Sequence, residues 1–272
     1  MAAGRAEIGF AYDDGRTRLA TLDQSDPLRI LFPDVSPDEP VTGALVTTSG
    51  GLVGGDSLEI VVRGESHTAS RIVGQAAEKI YRSTGADVTI EVRLDASEGA
   101  WLEWLPQETI LFEHARMRRA TRAEVGAGAR LLAGEMIVFG RTAMGESMTS
   151  GLIRDAWEIR REGRLVWSDA LHLDDNLEEA LQAAAGFDGA CAYGSLVYVA
   201  DDAEAQIDVA RELLEDGDPK LFRAATCVGD VLIVRWVGSD SLALRTGYGE
   251  FWSGFRNRIA GYPAIMPRLW HM

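Results

Sequence analysis

The sequence predicts a mainly β protein, with layered or helically wound sheets and about two α-helices in its last third. Short β-prone runs dominate the chain, and turn signals recur roughly every 8–12 residues. Helical periodicity is confined to segments in the C-terminal part. No internal repeat, low-complexity stretch or linker divides the 272 residues, so we expect one domain over residues 1–272.

The predicted strands are runs in which apolar residues alternate or cluster between turn residues. Residues 8–12 and 17–22 flank Asp13-Asp14-Gly15-Arg16, a hairpin signature. A similar turn joins residues 152–160 to 165–173. The other predicted strands are residues 58–63, 88–94, 101–105, 118–125, 129–139, 195–200 and 231–237.

Two helices are predicted. Residues 201–216 open with Asp201-Asp202, which suits an N-cap, and then place apolar residues on one stripe. Residues 248–259 form the second helix, with Phe251, Trp252 and Phe255 along one side. Residues 177–185 could form a short third helix.

Charge and composition exclude several classes of function. The chain has 27 basic and 42 acidic residues, a formal charge of −15, so its field repels nucleic acid and anionic lipid. No apolar run is long enough to span a membrane, and the N-terminus has no apolar core typical of a signal peptide. Cys191 and Cys227 lie in apolar stretches and are expected as buried, reduced thiols, which favours a cytoplasmic location.

Residues 99–113 carry the most informative pattern. Alternation places Glu103 between two apolar neighbours on one strand face, where a carboxylate is costly unless something pairs with it. Pro106 removes a ladder donor, so sheet pairing should break where Gln107 and Glu108 begin. Polar groups at a sheet interruption suggest a functional site.

Three further segments hold candidate residues. Asp56 ends the glycine-rich run SGGLVGGD, where it could accept backbone N–H bonds in an Asx-turn or point into a cleft. The run GQAAEKIYRS supplies four polar residues, and its two cations could neutralise Glu103 or Glu108. Glu135 and Glu146 flank the loop that contains Arg141, which could equally be plain solvated loop. The polar residues of the GQAAEKIYRS run are Gln75, Lys79, Tyr81 and Arg82.

The remaining charged residues leave weaker possibilities. Arg116, Arg118, Arg119 and Arg122 read as a basic strand face, which is either solvated or docks an acidic partner. None of the four histidines has the local spacing of a tight metal site.

Two alternative functions follow from the residues alone. Glu103, together with Glu108 or Glu135, could serve a carboxylate-based glycoside hydrolase. A generic β-fold interaction module is the other alternative.

Five segments, taken in order, resemble the urease accessory protein D family, called UreD or UreH. They are SGGLVGGDSLEI (49–60), QAAEKIYRS (75–83), WLEWLPQETILF (101–112), GRTAMGE (140–146) and PRLW (267–270). The resemblance implies a predominantly β, helically wound fold and a non-enzymatic scaffold in urease maturation. It also implies binding to the urease apoprotein subunits and to UreF, which recruits the GTPase UreG, with nickel in transit and no tightly bound cofactor.

The residues fit a passage that hands a metal ion on without trapping it. Carboxylates and amides are harder, weaker ligands for Ni²⁺ than thiolates, and a conduit has to release what it admits. We therefore expect Asp56, Glu103, Glu108, Glu135 and Glu146, with Gln75 and Gln107, to supply polar lining or its supports. Lys79, Arg82 and Arg141 would keep neighbouring acids ionised, and Tyr81 accompanies them. Phe251, Trp252, Phe255 and Trp270 are expected either in the core or on a surface that partners cover.

Overall fold

The chain folds into two stacked β-sheets with helices on the outer face of one of them. The computed structural model describes residues 1–141 and 144–271. The described strands are β1 (Ala3–Asp13), β2 (Arg16–Ser25), β3 (Leu28–Leu31), β4 (Val41–Thr47), β5 (Ser57–Gly64), β6 (Ala69–Gly74), β7 (Glu78–Ile80), β8 (Val88–Ala96), β9 (Trp101–Leu105), β10 (Thr109–Leu111), β11 (Arg116–Val125), β12 (Arg130–Phe139), β13 (Leu152–Arg161), β14 (Arg164–Asp174), β15 (Ala192–Val199), β16 (Leu221–Val228) and β17 (Val231–Gly238). The α-helices are α1 (Leu177–Gln182), α2 (Ile207–Glu215) and α3 (Ser241–Ala260).

The chain winds between the two sheets as a solenoid. Strands β1, β5, β8, β11 and β13 pair in parallel within a seven-stranded sheet. Strands β4, β6, β9 and β12, which alternate with them in sequence, pair in parallel within a ten-stranded sheet. Strands make up 50% of the chain and helices 16%, which confirms the predicted mainly β fold.

Antiparallel strands close both ends of the solenoid. At one end β2 pairs with β1 and β3 with β4, and at the other β14 pairs with β13. On the ten-stranded sheet β15, β17 and β16 continue from β12 in antiparallel pairs. These hairpins end the parallel stacking, much as capping units end other solenoids.

The ten-stranded sheet is buried on both faces because its side chains feed two separate cores. On β9, Leu102 and Trp104 point between the sheets and pack with residues of the seven-stranded sheet. Trp101 and Leu105 point the other way, into a core formed with α2 and α3. The predicted alternation along residues 101–105 is therefore confirmed, and β9 ends at Leu105, just before Pro106.

Helix α3 is longer than predicted. It begins at Ser241, where the Asp240 side chain accepts hydrogen bonds from Leu242 N and Ala243 N, both at 3.0 Å. The sequence predicted a start at residue 248 because its evidence was the aromatic stripe of Phe251, Trp252 and Phe255. In the structure Gly249 gives room for Trp270, since a Cβ there would lie 2.8 Å from Trp270 Nε1.

The predicted helix over residues 201–216 is wrong in its first third. Residues 204–206 form a 3-10 turn, and α2 starts at Ile207. Asp201 pairs with Arg161 at 2.5 Å, and Asp202 accepts a hydrogen bond from the Tyr198 hydroxyl at 2.7 Å. Instead of capping a helix, Asp201 ties the turn to the seven-stranded sheet through Arg161 of β13, and Asp202 ties it to the ten-stranded sheet through Tyr198 of β15.

The predicted basic strand face is wrong for Arg119, whereas Arg116, Arg118 and Arg122 do share the outer face of β11. Arg119 points between the sheets and is 4% exposed, because neighbouring residues of a strand face opposite sides. Arg116 and Arg118 share the carboxylate of Asp87, at 2.8 and 2.6 Å. The outer face of β11 is therefore largely neutralised within the molecule.

Other details depart from the sequence pattern. Cys191 and Cys227 are half-buried instead of fully buried, and no disulfide joins them. Helix α1 ends at Gln182, short of the predicted residue 185. No helix within residues 1–141 and 144–271 has the length and apolar character needed to cross a membrane.

Gly134 and Gly194 provide a matched test of how tightly the helix-side core is packed. A Cβ on Gly134 would lie 2.1 Å from the Tyr248 hydroxyl and 2.5 Å from the backbone oxygen of Ser195. A Cβ on Gly194 would meet its nearest neighbours at 3.5 Å, an ordinary contact. We expect Gly134→Ala to lower the free energy of unfolding by about 1–3 kcal/mol and Gly194→Ala to change it much less. Denaturant unfolding followed by tryptophan fluorescence measures both, and equal effects would contradict the packing described.

Candidate functional site

A slit interrupts the ten-stranded sheet at the same level in three successive coils. The interruptions fall between β4 and the Leu52 bridge to Ile80, between β6 and β7, and between β9 and β10. β12 pairs with β9 over residues 130–133 and with β10 over residues 137–139. Residues 134–136 of β12 pair with β15 on one edge but with neither β9 nor β10 on the other. Glu135 lies at the centre of this gap. We call residues 48–51, 75–77 and 106–108 the slit.

The slit opens into a cavity between the two sheets with a volume of about 170 Å³. Leu58 and Ile60 of the seven-stranded sheet form part of its apolar wall. Its polar wall comes from the slit and from the inner face of the ten-stranded sheet. The predicted site residues that line it are Gln75, Lys79, Gln107 and Glu135, joined by Glu78, Thr109 and Arg119.

The inner end of the cavity holds three buried charges. The guanidinium of Arg119 binds both oxygens of Asp155, at 2.9 and 2.8 Å, and Glu135 Oε2 at 2.6 Å. It also donates to the hydroxyl of Thr109 at 3.0 Å, while Trp104 Nε1 donates to Glu135 Oε1 at 2.9 Å. We call Arg119, Glu135 and Asp155 the inner triad.

The inner triad has two acids and one base, and Glu135 is the acid whose pKa is raised. Burial raises the pKa of Glu135 to about 7, and the negative charge of Asp155 adds to this effect. The positive charge of Arg119 and the hydrogen bond from Trp104 oppose it. The charge at the inner end of the cavity can therefore change near neutral pH.

Gln107 ties the slit together. Its Nε2 donates to the carbonyl oxygens of Gln75 at 3.0 Å and of Gly74 at 3.3 Å. The same nitrogen donates to the carbonyl oxygen of Leu269 at 2.8 Å, so the C-terminal segment is held against the slit. Gln107 is 3% exposed and therefore acts first as a structural link between two slit loops and the C-terminus.

Glu103 belongs to a second charge cluster, on the opposite face of the sheet from the cavity. It is completely buried and accepts hydrogen bonds from Trp101 Nε1 at 2.8 Å, Trp252 Nε1 at 3.3 Å and Arg256 Nε at 3.0 Å. Arg71 lies 3.9 Å from its second oxygen.

Glu39 completes this cluster from the loop before β4. Arg71 contacts its carboxylate at 2.8 Å and Arg256 at 2.6 Å. We call Glu39, Arg71, Glu103 and Arg256 the outer cluster. Two acids and two bases balance, so it fastens α3 to the sheet without net charge.

Glu108 pairs with α3 and not with the cations predicted for it. Arg245 Nη1 lies 3.1 Å from Glu108 Oε1, and the guanidinium of Arg245 stacks over the Trp270 ring at 5.2 Å. The prediction that Lys79 or Arg82 neutralises Glu103 or Glu108 is wrong, because arginines from β6 and α3 already occupy those positions.

Asp56 lies outside the cavity wall. Its carboxylate accepts hydrogen bonds from Val53 N at 3.0 Å and from Ala2 N at 2.6 Å. Asp56 therefore accepts backbone N–H bonds, as one of its two predicted roles required, but the donors precede it and no Asx-turn forms. Its carboxylate fixes the glycine-rich loop against the residue that precedes β1.

Four predicted residues gather around Phe112 on the surface. Tyr81 packs edge-on against the Phe112 ring at 4.7 Å and donates its hydroxyl to the carbonyl oxygen of Gly50, in the slit, at 3.0 Å. Arg141 stacks over the same ring at 4.5 Å and pairs with Glu146. The pKa of Glu146 is lowered, mainly by the hydrogen bond from Glu113 N and also by the charges of Arg141 and of the exposed Arg82. Residues 142 and 143 of the GRTAMGE run lie outside the described residues.

The aromatic C-terminal residues are core. Phe251, Trp252, Phe255 and Trp270 are all buried against the helix side of the ten-stranded sheet. Of the two expectations, a surface covered by partners is therefore wrong for these four residues.

The carboxylate pair proposed for a glycoside hydrolase is not assembled. Glu103 and Glu135 lie on opposite faces of the ten-stranded sheet, and Glu103 and Glu108 are each bound to arginine. Within residues 1–141 and 144–271, no three His, Cys, Asp or Glu side chains are grouped so as to hold a metal ion.

Sequence reasoning missed several residues that build the site. Arg119 and Asp155 each lie two residues from apolar positions, Met117 on β11 and Ile153 and Trp157 on β13. Residues two apart on a strand share a face, so this spacing could have identified both charged residues as inward-facing. Nothing in the sequence distinguished Glu78 from the other polar residues of the GQAAEKIYRS run. Arg256 and Glu39 gave no local signal, since they meet Glu103 only through the fold.

Comparisons with known proteins agree with one another. A family model described as UreD urease accessory protein matches residues 2–271. The chain is 47% identical over 270 residues to urease accessory protein UreD of Magnetococcus marinus, covering 98% of this chain and 93% of the relative. It is 39% identical over 265 residues to urease accessory protein UreD 2 of Methylorubrum populi, covering 97% and 87%, respectively. It is 37% identical over 270 residues to urease accessory protein UreD of Azorhizobium caulinodans, covering 99% and 96%.

Removing the Glu103 charge tests the outer cluster. Glu103→Gln leaves two buried arginines with one carboxylate, and we expect it to cost about 3–5 kcal/mol of unfolding free energy. Glu212→Gln is the control, because its ion pair with Arg258 is on the surface. Thermal or denaturant unfolding should show a large loss for the first variant and no clear change for the second. A small loss for Glu103→Gln would mean that the cluster is not needed to hold α3.

Glu135 should make stability depend on pH. Its folded-state pKa is raised from 4.5 to about 7, so between these values the folded protein binds a proton that the unfolded chain has released. The contribution of Glu135 to stability is therefore lost as pH rises from about 4.5 to about 7, by at most about 1.4 kcal/mol per pH unit. Relative to Glu135→Gln, the wild type should lose stability across this window. Parallel profiles of unfolding free energy against pH would contradict the assignment.

Proposed function

The chain belongs to the UreD urease accessory protein family, which supports a role in urease maturation, and we propose that it acts there as a non-enzymatic scaffold for nickel delivery. In this proposal it binds the urease apoprotein subunits and UreF, and it reaches UreG through UreF. It works in the cytoplasm, and nickel is its cargo, not a resident cofactor.

The observation that supports nickel delivery is the cavity behind the slit. Its polar wall includes carboxylate, hydroxyl and amide groups from Glu78, Glu135, Thr109 and Gln107, beside the two cationic residues Lys79 and Arg119. Such oxygen donors bind a borderline ion such as Ni²⁺ more weakly than thiolate or imidazole groups would. A route for a cargo ion needs this combination of entry and easy release.

The predicted residues then divide into two roles. Gln75, Lys79, Gln107 and Glu135 are the proposed lining, with Glu135 at the inner end. The supports are Asp56, Glu103 and Glu108, which hold the glycine-rich loop and α3, and Tyr81, Arg82, Arg141 and Glu146, which flank Phe112 beside the slit.

The inner triad gives this route a defined electrostatic character. Arg119 alone would repel a cation. Asp155, however, accepts two hydrogen bonds from Arg119 and compensates the positive charge of the guanidinium. An ionised Glu135 then leaves one net negative charge facing the cavity. The proposed route therefore attracts a divalent ion most strongly when Glu135 has lost its proton.

Co-expression with the urease subunits, UreF and UreG tests the proposal. Affinity capture of the wild-type chain should retain the apoprotein and UreF. Glu135→Gln keeps the Arg119–Asp155 pair, so its complexes should still assemble while the nickel content and activity of the urease fall several-fold.

Glu91→Gln is the matched control, because Glu91 lies on the outer face of the seven-stranded sheet with its side chain 46% exposed. Failure to capture either the apoprotein or UreF would reject the scaffold. Full nickel loading with Glu135→Gln would reject the route through this cavity.

A further inference from the structure

Glu78 is the one cavity-lining carboxylate of the described residues that has no counter-ion. It lies on β7, on the same inward face as Ile80, and is half-buried. Glu135, the other acid of the wall, is paired with Arg119 at 2.6 Å. No Lys, Arg or His nitrogen of the described chain comes within 4.0 Å of Glu78. The ammonium group of its neighbour Lys79 also lies beyond that distance.

Two neutral donors hold the Glu78 carboxylate in place. The Thr47 hydroxyl donates to Oε2 at 2.5 Å, and the backbone N–H of Lys79 donates to Oε1 at 3.1 Å. A carboxylate offers about four acceptor positions, so two remain. Burial raises the pKa of Glu78, and the hydrogen bonds from Thr47 and Lys79 N and the more distant charge of Lys79 only partly offset this. The group is oriented, and its charge is not compensated by any cation of the described residues in direct contact.

The strand next to Glu78 supplies another oxygen. Thr109 lies directly opposite Glu78 in the parallel register of β7 and β10, and both residues line the cavity. The Thr109 hydroxyl accepts a hydrogen bond from Arg119, so the carboxylate of Glu78 and the inner triad are linked through one residue. The cavity volume of about 170 Å³ is several times the roughly 30 Å³ share of one water molecule in the liquid. An ion held here can keep part of its hydration shell.

A buried carboxylate without a contacting cation costs stability at a cavity wall unless an ion completes it. By contrast, the outer cluster balances its charges, and both acids of the inner triad contact Arg119. We propose that Glu78, supported by Thr47 and Thr109, is a binding position for a hydrated divalent cation at the entrance of the cavity. The oxygen donors favour a hard or borderline ion that keeps several waters. That the ion is nickel rests on the proposed function.

Titration of the full-length chain with Ni²⁺ alone tests this site. Calorimetry or competition with a metal-sensitive dye should show weak binding to the wild type and at least tenfold weaker binding to Glu78→Gln, which keeps the size of the side chain and an acceptor for Thr47. Glu78→Asp keeps the charge and should retain part of the affinity. Asp95→Asn is the control, because burial also raises the pKa of Asp95 but the residue lies outside the cavity wall. Unfolding midpoints should establish that all variants are folded.

The outcomes separate the site from the wider function. Equal Ni²⁺ affinity of the wild type and Glu78→Gln, or no binding to the wild type, overturns the site. Weaker binding by Glu78→Gln supports it, and the nickel content of co-expressed urease then tests the route. If that content is normal although binding is lost, the cation site stands and delivery through the cavity fails.

Discussion

Charge on the ten-stranded sheet has to be matched inside the protein, because both faces of the sheet are covered. The seven-stranded sheet covers one face, and α2 and α3 cover the other. A side chain that leaves this sheet in either direction loses its contact with bulk water, where an isolated charge would be far more stable. In the outer cluster two acids and two bases balance, so no net charge is buried there. The inner triad holds two acids and one base, Glu78 contacts no cation of the described residues, and both lie at the cavity between the sheets.

The cavity originates in residues that interrupt strand pairing, beginning with Pro106. Pro106 cannot donate to a ladder, so β9 ends at Leu105 and pairing resumes only at Thr109. The neighbouring coil is interrupted at residues 75–77, and the glycine-rich run breaks the coil beyond it. Because parallel coils stack in register, three local interruptions coincide in space and become one slit. A single interruption would have been a bulge, whereas three in register open the interior.

The sequence carried the fold class, most of the solenoid strands and the break at Pro106, because alternation and turn residues are local signals. It missed the solenoid strands β4 and β6. It could not assign Glu103 and Glu135 to different faces of the sheet, since their strands are neighbours only after folding. The partner of Glu103, Arg256, is 153 positions away, and no pattern of spacing connects them. Arg119 was misread for a simpler reason: four arginines within seven residues suggested one basic face, although Arg118 and Arg119 are adjacent on a strand and therefore point to opposite faces. Glu78 was overlooked because its lack of a counter-ion is a property of the folded structure.

The bond between Glu39 and Arg256 spans 217 positions, and this has a consequence for synthesis on the ribosome. The sheet emerges first, and its aromatic side stays bare until the last helix leaves the exit tunnel. During that interval Arg71 is the basic residue of the outer cluster that Glu103 can contact, and the apolar residues of the sheet that α3 later covers remain exposed. A chain shortened before residue 256 lacks the arginine that joins Glu39 to Glu103, so the charges of these two acids are left to Arg71 alone.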